Sequence, residues 1–410
     1  MLTDKPLHLA LVNPLDSEYI GPMRFLFFRT LALLTAIFFL LPTSAQAGFN
    51  PGSSQLSVRS FPCPDELEPG VPTCFSHGFS HYYSHYSKGV NSPSTRPLPA
   101  QPADPTLAIV PYWYARVIRE NAPIFASLEA AIQGEPVLRR IETGFDFVTY
   151  IDSAVENGKK YYMIDAGIWM RGGDLSRIGA TGSFQGLVFS ETPRNQFGWV
   201  RNEIEAKRTP GYTPKDYTGK VYYRYDVVQI YAVKKIDQMD WYQVGADEWL
   251  EGRQVGRVIL NPKAPEGVKN GRWIEVNLAE QTLAVYDRSR LVFATMVATG
   301  REGSWTQPGL FPIYKKVEAE TMYGSFTADR SDYYYLEDVP WTMYFDQARA
   351  LHGTYWHNRF GWPQSRGCVN LSPGDANWLF QWARNGDWVY VWDPSGQTPT
   401  DPSLYNTGGA

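Results

Sequence analysis

Cysteine is nearly missing from this sequence: three occur in 410 residues, so at most one disulfide pair can form within the chain and one thiol is left over. Charge of one sign is missing too. The 38 Lys and Arg against 42 Asp and Glu give a net charge of −4, and nothing supplies the basic field that a nucleic-acid partner requires. The chain has no glycine-rich loop of the kind that cradles phosphates, and its C-terminal third has no credible cluster of metal ligands. Neither a nucleotide nor a metal cofactor is therefore expected. Long apolar runs are scarce as well. The longest, Leu31 to Leu41, falls short of the roughly 18–20 residues of a membrane span, and extending it back to Phe25 brings Arg29 inside.

What is abundant is aromatic: 14 Trp, 26 Tyr and 21 Phe make up 15% of the chain. That favours short, aromatic-rich strands over helical bundles, and hence a mainly β protein of two or three domains.

Residues 1–47 read as an export signal. Arg24 and Arg29 follow a start-like Met23, the apolar run comes next, and Ala45-Gln46-Ala47 closes it, which puts the first mature residue at Gly48. Residues 1–22 have no signal-like pattern. Whether the segment is cleaved or kept as an anchor, the remainder is expected outside the cytoplasm, with no membrane span after cleavage. In such an oxidising compartment Cys63 and Cys74 can pair, and Cys368 is then the odd thiol, a candidate for reactivity.

Residues 48–106 are rich in breakers, among them Pro93, Pro97, Pro99, Pro102 and Pro105, and read as a linker. Within it His77, His81 and His85 recur every fourth residue. That spacing would align three imidazoles on a helix, but Gly78 and the Ser and Tyr around them oppose helix, so a solvated polar tract is the expectation. From residue 107 to 180 short strand-like runs alternate with turn signals, including Asn157-Gly158. Residues 181–260 echo them. Trp241-Tyr242-Gln243-Val244 leads to Trp249 as Tyr161-Tyr162-Met163-Ile164 leads to Trp169, an indication of internal duplication. The two segments resemble bacterial SH3-like modules, which implies two small β-barrels.

The last structured region spans 271–392, with a Pro- and Gly-rich tail over 393–410. Alternating or apolar runs at Trp273 to Leu278, Thr282 to Tyr286 and Leu291 to Thr299 predict strands, and one helix is expected from Ser372 or Pro373 to Ala383.

Its informative stretch is His352-Gly353-Thr354 followed by Ser365-Arg366-Gly367-Cys368-Val369-Asn370. Covalent acyl transfer needs a thiolate, of which a free cysteine supplies only a few per cent near neutral pH, so a histidine must take the proton. His352 and His357 are the candidates. A cysteine between Gly and Val is more often a small buried hydrophobe than a nucleophile, but Cys368 is the odd thiol, and Gly367 lets the backbone approach a substrate so that the N–H groups of Gly367 and Cys368 can face an oxyanion.

This string, with a His-Gly pair sixteen positions before the cysteine, resembles the signature of the L,D-transpeptidase (YkuD) family. The resemblance extends to the hairpin Trp273 to Tyr286, the turn Ala298-Thr299-Gly300, the stretch Gln307-Pro308-Gly309-Leu310-Phe311, where Gln replaces the first Thr, and the closing Gly386 to Val391. It implies a C-terminal β-sandwich with one or two helices, Cys368 as nucleophile, His352 as base, and the Gly353 carbonyl orienting the imidazole. It also implies oxyanion donation from Gly367 and Cys368, and loop or substrate positioning by Ser365 and Asn370. Arg366, also expected among the oxyanion and substrate-binding residues, stands where the family often has His.

The activity so implied is cross-linking of peptidoglycan stem peptides through a cysteine thioester, giving 3-3 links and needing no cofactor. A carboxypeptidase using water as acceptor is the near alternative, and a non-catalytic wall-binding protein the alternative of another class. A papain-like hydrolase is disfavoured by chain order, since its cysteine precedes its histidine whereas here both histidines precede Cys368.

Overall fold

The expected hairpin forms: Arg272–Asn277 pairs antiparallel with Thr282–Asp287, with Trp273 opposite Tyr286 and Val276 opposite Leu283, in a computed structural model that describes residues 96–179, 184–325 and 327–405. The signal segment, Cys63 and Cys74, the His77, His81 and His85 row, and the linker up to residue 95 lie outside the described residues. Among the described residues the chain is mainly β with two α-helices, and its C-terminal part is the expected sandwich.

One seven-stranded sheet of the sandwich is built around that hairpin. Arg290–Met296 continues it on one side, and Trp388–Trp392 on the other, parallel to Arg272–Asn277 and antiparallel to Gly309–Pro312. The second sheet runs Val369–Leu371, Arg349–Gly353, Tyr334–Asp346, with Lys315–Gly324 also paired to Tyr334–Asp346. Ile274, Val276, Leu283, Val285, Met343, Phe345, Leu351 and Val369 meet between the sheets. Both faces of the central strands are covered, which is why they read as nearly continuous apolar runs rather than strict alternations. Each fully buried side chain of this kind contributes roughly 1.5–3 kcal/mol.

The helix Pro373–Trp382 starts as expected. Ser372 caps it by accepting from Asp375 N–H, and Pro373 occupies the first turn, where no donor is needed. Its Ala376 and Leu379 face the core. The buried Asp375 carboxylate accepts from Thr295 Oγ1 at 2.6 Å and from Gly186 N–H at 2.8 Å, fastening the helix to the region before the sandwich.

That earlier region repeats itself as the aromatic echo suggested. In the first copy Trp113–Val117 pairs with Phe145–Tyr150 and Leu175–Arg177, and a meander runs through Asp152–Glu156, Lys159–Asp165 and Ile168–Arg171. In the second, Gln196–Val200 pairs with Val227–Ile230 and Val255–Val258, and the meander runs through Ala232–Ile236, Met239–Gly245 and Glu248–Glu251. The registers coincide: Tyr162 opposes Met170 and Met163 opposes Trp169, as Tyr242 opposes Leu250 and Gln243 opposes Trp249. Even the close contacts recur. A Cβ on Gly172 would lie 2.6 Å from Lys160 O, and one on Gly252 2.7 Å from Asp240 O, so glycine is required at both.

The expectation of two closed barrels needs correction, because the sheets are open. In the first copy Phe145–Tyr150 pairs in parallel with Tyr334–Asp346, Phe145 opposite Tyr334 and Phe147 opposite Leu336, so it extends the second sheet of the sandwich. Between the copies, Leu187–Phe189 pairs with Arg290–Met296 and extends the first sheet. In the first copy an edge that would have closed a barrel is instead paired with the sandwich, a pairing that removes an exposed strand edge equally well. Among the described residues, no helix is long and apolar enough to cross a membrane.

Candidate active site

Arg349–Gly353 and Val369–Leu371 lie side by side in parallel, with His352 opposite Asn370 and Leu351 opposite Val369. Because side chains alternate along strands, this register puts His352 and Asn370 on one face, with Cys368 two residues before Asn370 on the same side. Cys368 is buried and is the only cysteine among the described residues.

The loop leading to the cysteine is held from several directions. Ser365 Oγ donates to Cys368 O at 2.6 Å and accepts from Gly367 N–H at 3.1 Å, while Thr306 Oγ1 donates to Gly367 O at 2.8 Å. Ser365 N–H donates to Thr299 O, and Asn370 and Ala298 exchange two backbone bonds. Ser365 thus acts on the loop itself. One expectation changes here: the Gly367 N–H, read as an oxyanion donor, is engaged by Ser365 Oγ, because the loop closes on itself around that hydroxyl. Gly367 has another reason to be glycine. Its φ is 123°, and a Cβ there would lie 3.1 Å from Arg349 Nε. Gly367→Ala is expected to destabilise the fold by about 1–3 kcal/mol, read as a lower denaturation midpoint at unchanged m-value. A midpoint equal to wild type would mean that the loop relaxes freely.

His352 Nδ1 lies 3.1 Å from Gly353 O, as the resemblance implied. A carbonyl only accepts, so Nδ1 carries the proton and Nε2 presents a lone pair. Burial drives the His352 pKa down to about 4, opposed by the Gly353 bond. Burial likewise pushes the Cys368 thiol up to about 11, opposed by a bond with Ala350 and by the nearby Arg349 charge. The resting pair is therefore a neutral thiol and a neutral imidazole, not the pre-formed thiolate and imidazolium that the sequence reading expected. Desolvation disfavours both charged forms.

His357, the rival base, is otherwise occupied. Arg359 N–H donates to its Nδ1 at 3.2 Å, and its Nε2 lies 2.9 Å from Asn370 Nδ2. Asn370 thus steadies the His357 loop, and neither nitrogen of His357 offers a free lone pair to the thiol.

These residues line one cleft of about 380 Å³ that includes His352, His357, Ser365, Arg366, Cys368 and Asn370. Sequence reasoning missed further members of its wall, among them Arg301, Met322, Tyr334 and Phe145. Phe145 comes from the first repeat. The same repeat buttresses the histidine loop: Tyr114 stacks on Tyr355 with centroids 3.5 Å apart, Phe147 lies against Tyr355 and Trp356, and Trp356 lies 5.7 Å from the His352 ring. Only the Phe145 to Tyr334 pairing brings this wall in, and no local pattern announces it. Arg349 was also missed; it is buried, paired with Asp346 at 2.8 Å, and its charge favours a thiolate at Cys368. Among the described residues no three His, Cys, Asp or Glu side chains gather as a metal site would require.

Residues 271–391 match the family YkuD, the L,D-transpeptidase catalytic domain. Among solved structures, the L,D-transpeptidase (Yku) of Stackebrandtia nassauensis is similar at 31% identity, over 34% of this chain and 61% of that one, with a TM-score of 0.26. The catalytic domain of the E. faecium L,D-transpeptidase is similar at 26% identity, over 31% of this chain and all of that one, with a TM-score of 0.28. Mycobacterium tuberculosis L,D-transpeptidase 1 is similar at 21% identity, over 30% of this chain and 61% of that one, with a TM-score of 0.26. The chain thus spans about 61% of the length of the first and last of these. No curated protein matches it.

Proposed function

We propose, from the premise that residues 271–391 form an L,D-transpeptidase catalytic domain, that the protein cross-links peptidoglycan stem peptides by cysteine acyl transfer. The observation that carries the reading is one cleft in which the buried Cys368 thiol and a His352 with its Nε2 lone pair exposed by the Gly353 bond are gathered on adjoining strands.

In this reading the donor is a tetrapeptide stem. Cys368 Sγ attacks the carbonyl of the third residue, a diamino acid, and its proton passes to His352 Nε2 as the bond forms. That proton then goes to the amine of the departing D-Ala as the C–N bond breaks, leaving a thioester on Cys368. The side-chain amine of a third residue on a neighbouring stem attacks the thioester, His352 takes its proton, and the thiol is restored as the 3-3 link forms. With the proton moving during attack, two neutral groups suffice at rest. Cys368 N–H is the oxyanion donor in this scheme, and Ser365 fixes where it points. The location that fits such a substrate is outside the cytoplasm, in the periplasm or cell wall. The repeats at 107–180 and 181–260 are read as SH3-like modules that accompany the catalytic domain.

Mass spectrometry of the chain incubated with a tetrapeptide donor tests this. A thioester adduct on Cys368 and a cross-linked dimer are expected. Tripeptide without dimer, in the presence of an amine acceptor, would instead make it a carboxypeptidase. Neither adduct nor product would leave a wall-binding protein as the better account.

A further inference from the structure

The loop that follows His352 is held from outside the stretch that matches the catalytic domain. That match covers residues 271–391, yet the loop packs on the repeat at 107–180. Tyr355 is fully buried, and its ring stacks on Tyr114 with centroids 3.5 Å apart and planes 14° apart. Phe147 stands edge-on to the same ring at 6.0 Å. Trp356 crosses Tyr355 nearly at right angles, lies 6.5 Å from Phe147, and comes within 5.7 Å of the His352 ring. A continuous run of rings therefore leads from Tyr114 through Tyr355 and Trp356 to His352.

The run is anchored in backbone. Tyr114 and Phe147 stand on two strands that pair with each other, Tyr114 opposite Thr149, and the second of these strands joins the sandwich by its pairing with Tyr334–Asp346. There the hydroxyls of Tyr114 and Tyr355 donate to successive carbonyls, Asp338 O at 2.8 Å and Glu337 O at 2.7 Å. Thr149 ties in at the same point. Its N–H donates to the Glu337 carboxylate at 2.7 Å and its hydroxyl to that of Asp338 at 2.8 Å. Both tyrosines are thus fixed at the face and at the tip, and a buried network with its bonds satisfied specifies one arrangement of the loop.

We propose that Tyr114 is a positioning residue for His352: by stacking on Tyr355 it sets the loop that orients the imidazole and seals it from water, so that the repeat at 107–180 supports catalysis. The inference rests on the acyl-transfer reading above and adds a residue from outside the catalytic domain to it. The lone pair of the base must meet the thiol, and a displacement of about 1 Å is enough to cost roughly 10²-fold in rate. Sealing matters as well, since burial is what keeps the imidazole neutral down to a pH of about 4. The titratable groups that share the cleft with it are Cys368, His357 and Tyr334, and Arg301 and Arg366 are its permanent charges. None of them is altered by the substitutions that test the proposal, so a rise in the His352 pKa reports water reaching the ring.

Imidazole carbon–proton NMR of the full chain, with His352 assigned by its loss in His352→Ala, gives the titration without any turnover. The values of kcat and KM with a tetrapeptide donor are measured beside it. Tyr114→Leu removes the stack but keeps most of the apolar bulk, Tyr114→Phe keeps the stack and loses the hydroxyl, and Val117→Ala loosens the core of the same repeat away from the loop. In Tyr114→Leu the His352 pKa is expected to climb from about 4 towards the free value of about 6.5, and kcat to fall about 10–100-fold with KM within about twofold of wild type. Tyr114→Phe should restore most of both, and Val117→Ala should leave the His352 titration in place. Three results each overturn the proposal: Tyr114→Leu titrating and turning over like wild type, Tyr114→Phe behaving as Tyr114→Leu, or Val117→Ala moving the titration as far. Should Tyr114→Leu not fold, Phe147→Leu takes its place with the same outcomes, since Phe147 packs on Tyr355 and Trp356. If wild type turns over no donor, the acyl-transfer reading fails, and the NMR titration still decides whether Tyr114 holds the loop.

Discussion

Cys368→Ser is expected to abolish acyl transfer while leaving the fold intact. The change is nearly isosteric, and the loop around it is held by Ser365, Thr306 and the bonds between Asn370 and Ala298, none of which uses the Cys368 side chain. A serine hydroxyl is far less acidic than a thiol, and His352, with its pKa near 4, is a weak base that draws no help from a carboxylate. The imidazole therefore has a far harder proton to remove. Turnover of a tetrapeptide donor should fall to background, no covalent adduct should appear by mass spectrometry, and the thermal midpoint should stay within a few degrees of wild type. A variant that kept more than a small fraction of turnover would show that Cys368 is not the nucleophile. Loss of activity together with a collapsed midpoint would show that the thiol is needed for the fold.

Much of this site was legible because its parts are adjacent in sequence. Ser365 to Asn370 forms one loop and strand, and His352-Gly353 lies on the strand paired with it, so a short motif carries nucleophile, base and orienting carbonyl together. The hairpin at Trp273 to Tyr286 and the helix starting at Ser372 were legible for the same reason, since alternation, a capping serine and a proline in the first turn are local signals. What could not be read is what distant segments do to one another. Phe145 reaches the cleft only through a parallel pairing with Tyr334, and that pairing also left the first repeat without a closed barrel. The hydroxyl of Ser365 takes the Gly367 N–H through a turn whose geometry is not written in the residue types. Burial, likewise a property of the whole fold, sets the resting protonation of Cys368 and His352 against the simplest expectation from their chemistry.

That protonation state makes the base the second place where a large effect is expected. His352→Ala should lower turnover about 10²–10⁴-fold, because the thiol then has no acceptor for its proton as it attacks. The pH dependence distinguishes this from a pre-formed ion pair. Neutral imidazole is the working form of the base, and it is lost only as pH falls through about 4; the thiol ionises on its own only as pH rises through about 11. Activity should therefore be flat between those limits as far as these two groups govern it. Alkylation of wild-type Cys368 by iodoacetamide should be slow near neutral pH and climb towards pH 11. An ion pair would instead alkylate quickly and evenly from mildly acidic pH upward, and His352→Ala would move that profile towards the free-thiol value near 8.5. His357→Ala is the contrast. Its ring bonds to Arg359 N–H and to the Asn370 amide, so removing it should loosen the loop and cost turnover only a few-fold, through packing. Turnover that collapsed in His357→Ala but survived in His352→Ala would transfer the role of base to His357, and fast alkylation of wild type at neutral pH would replace the neutral pair with an ionic one.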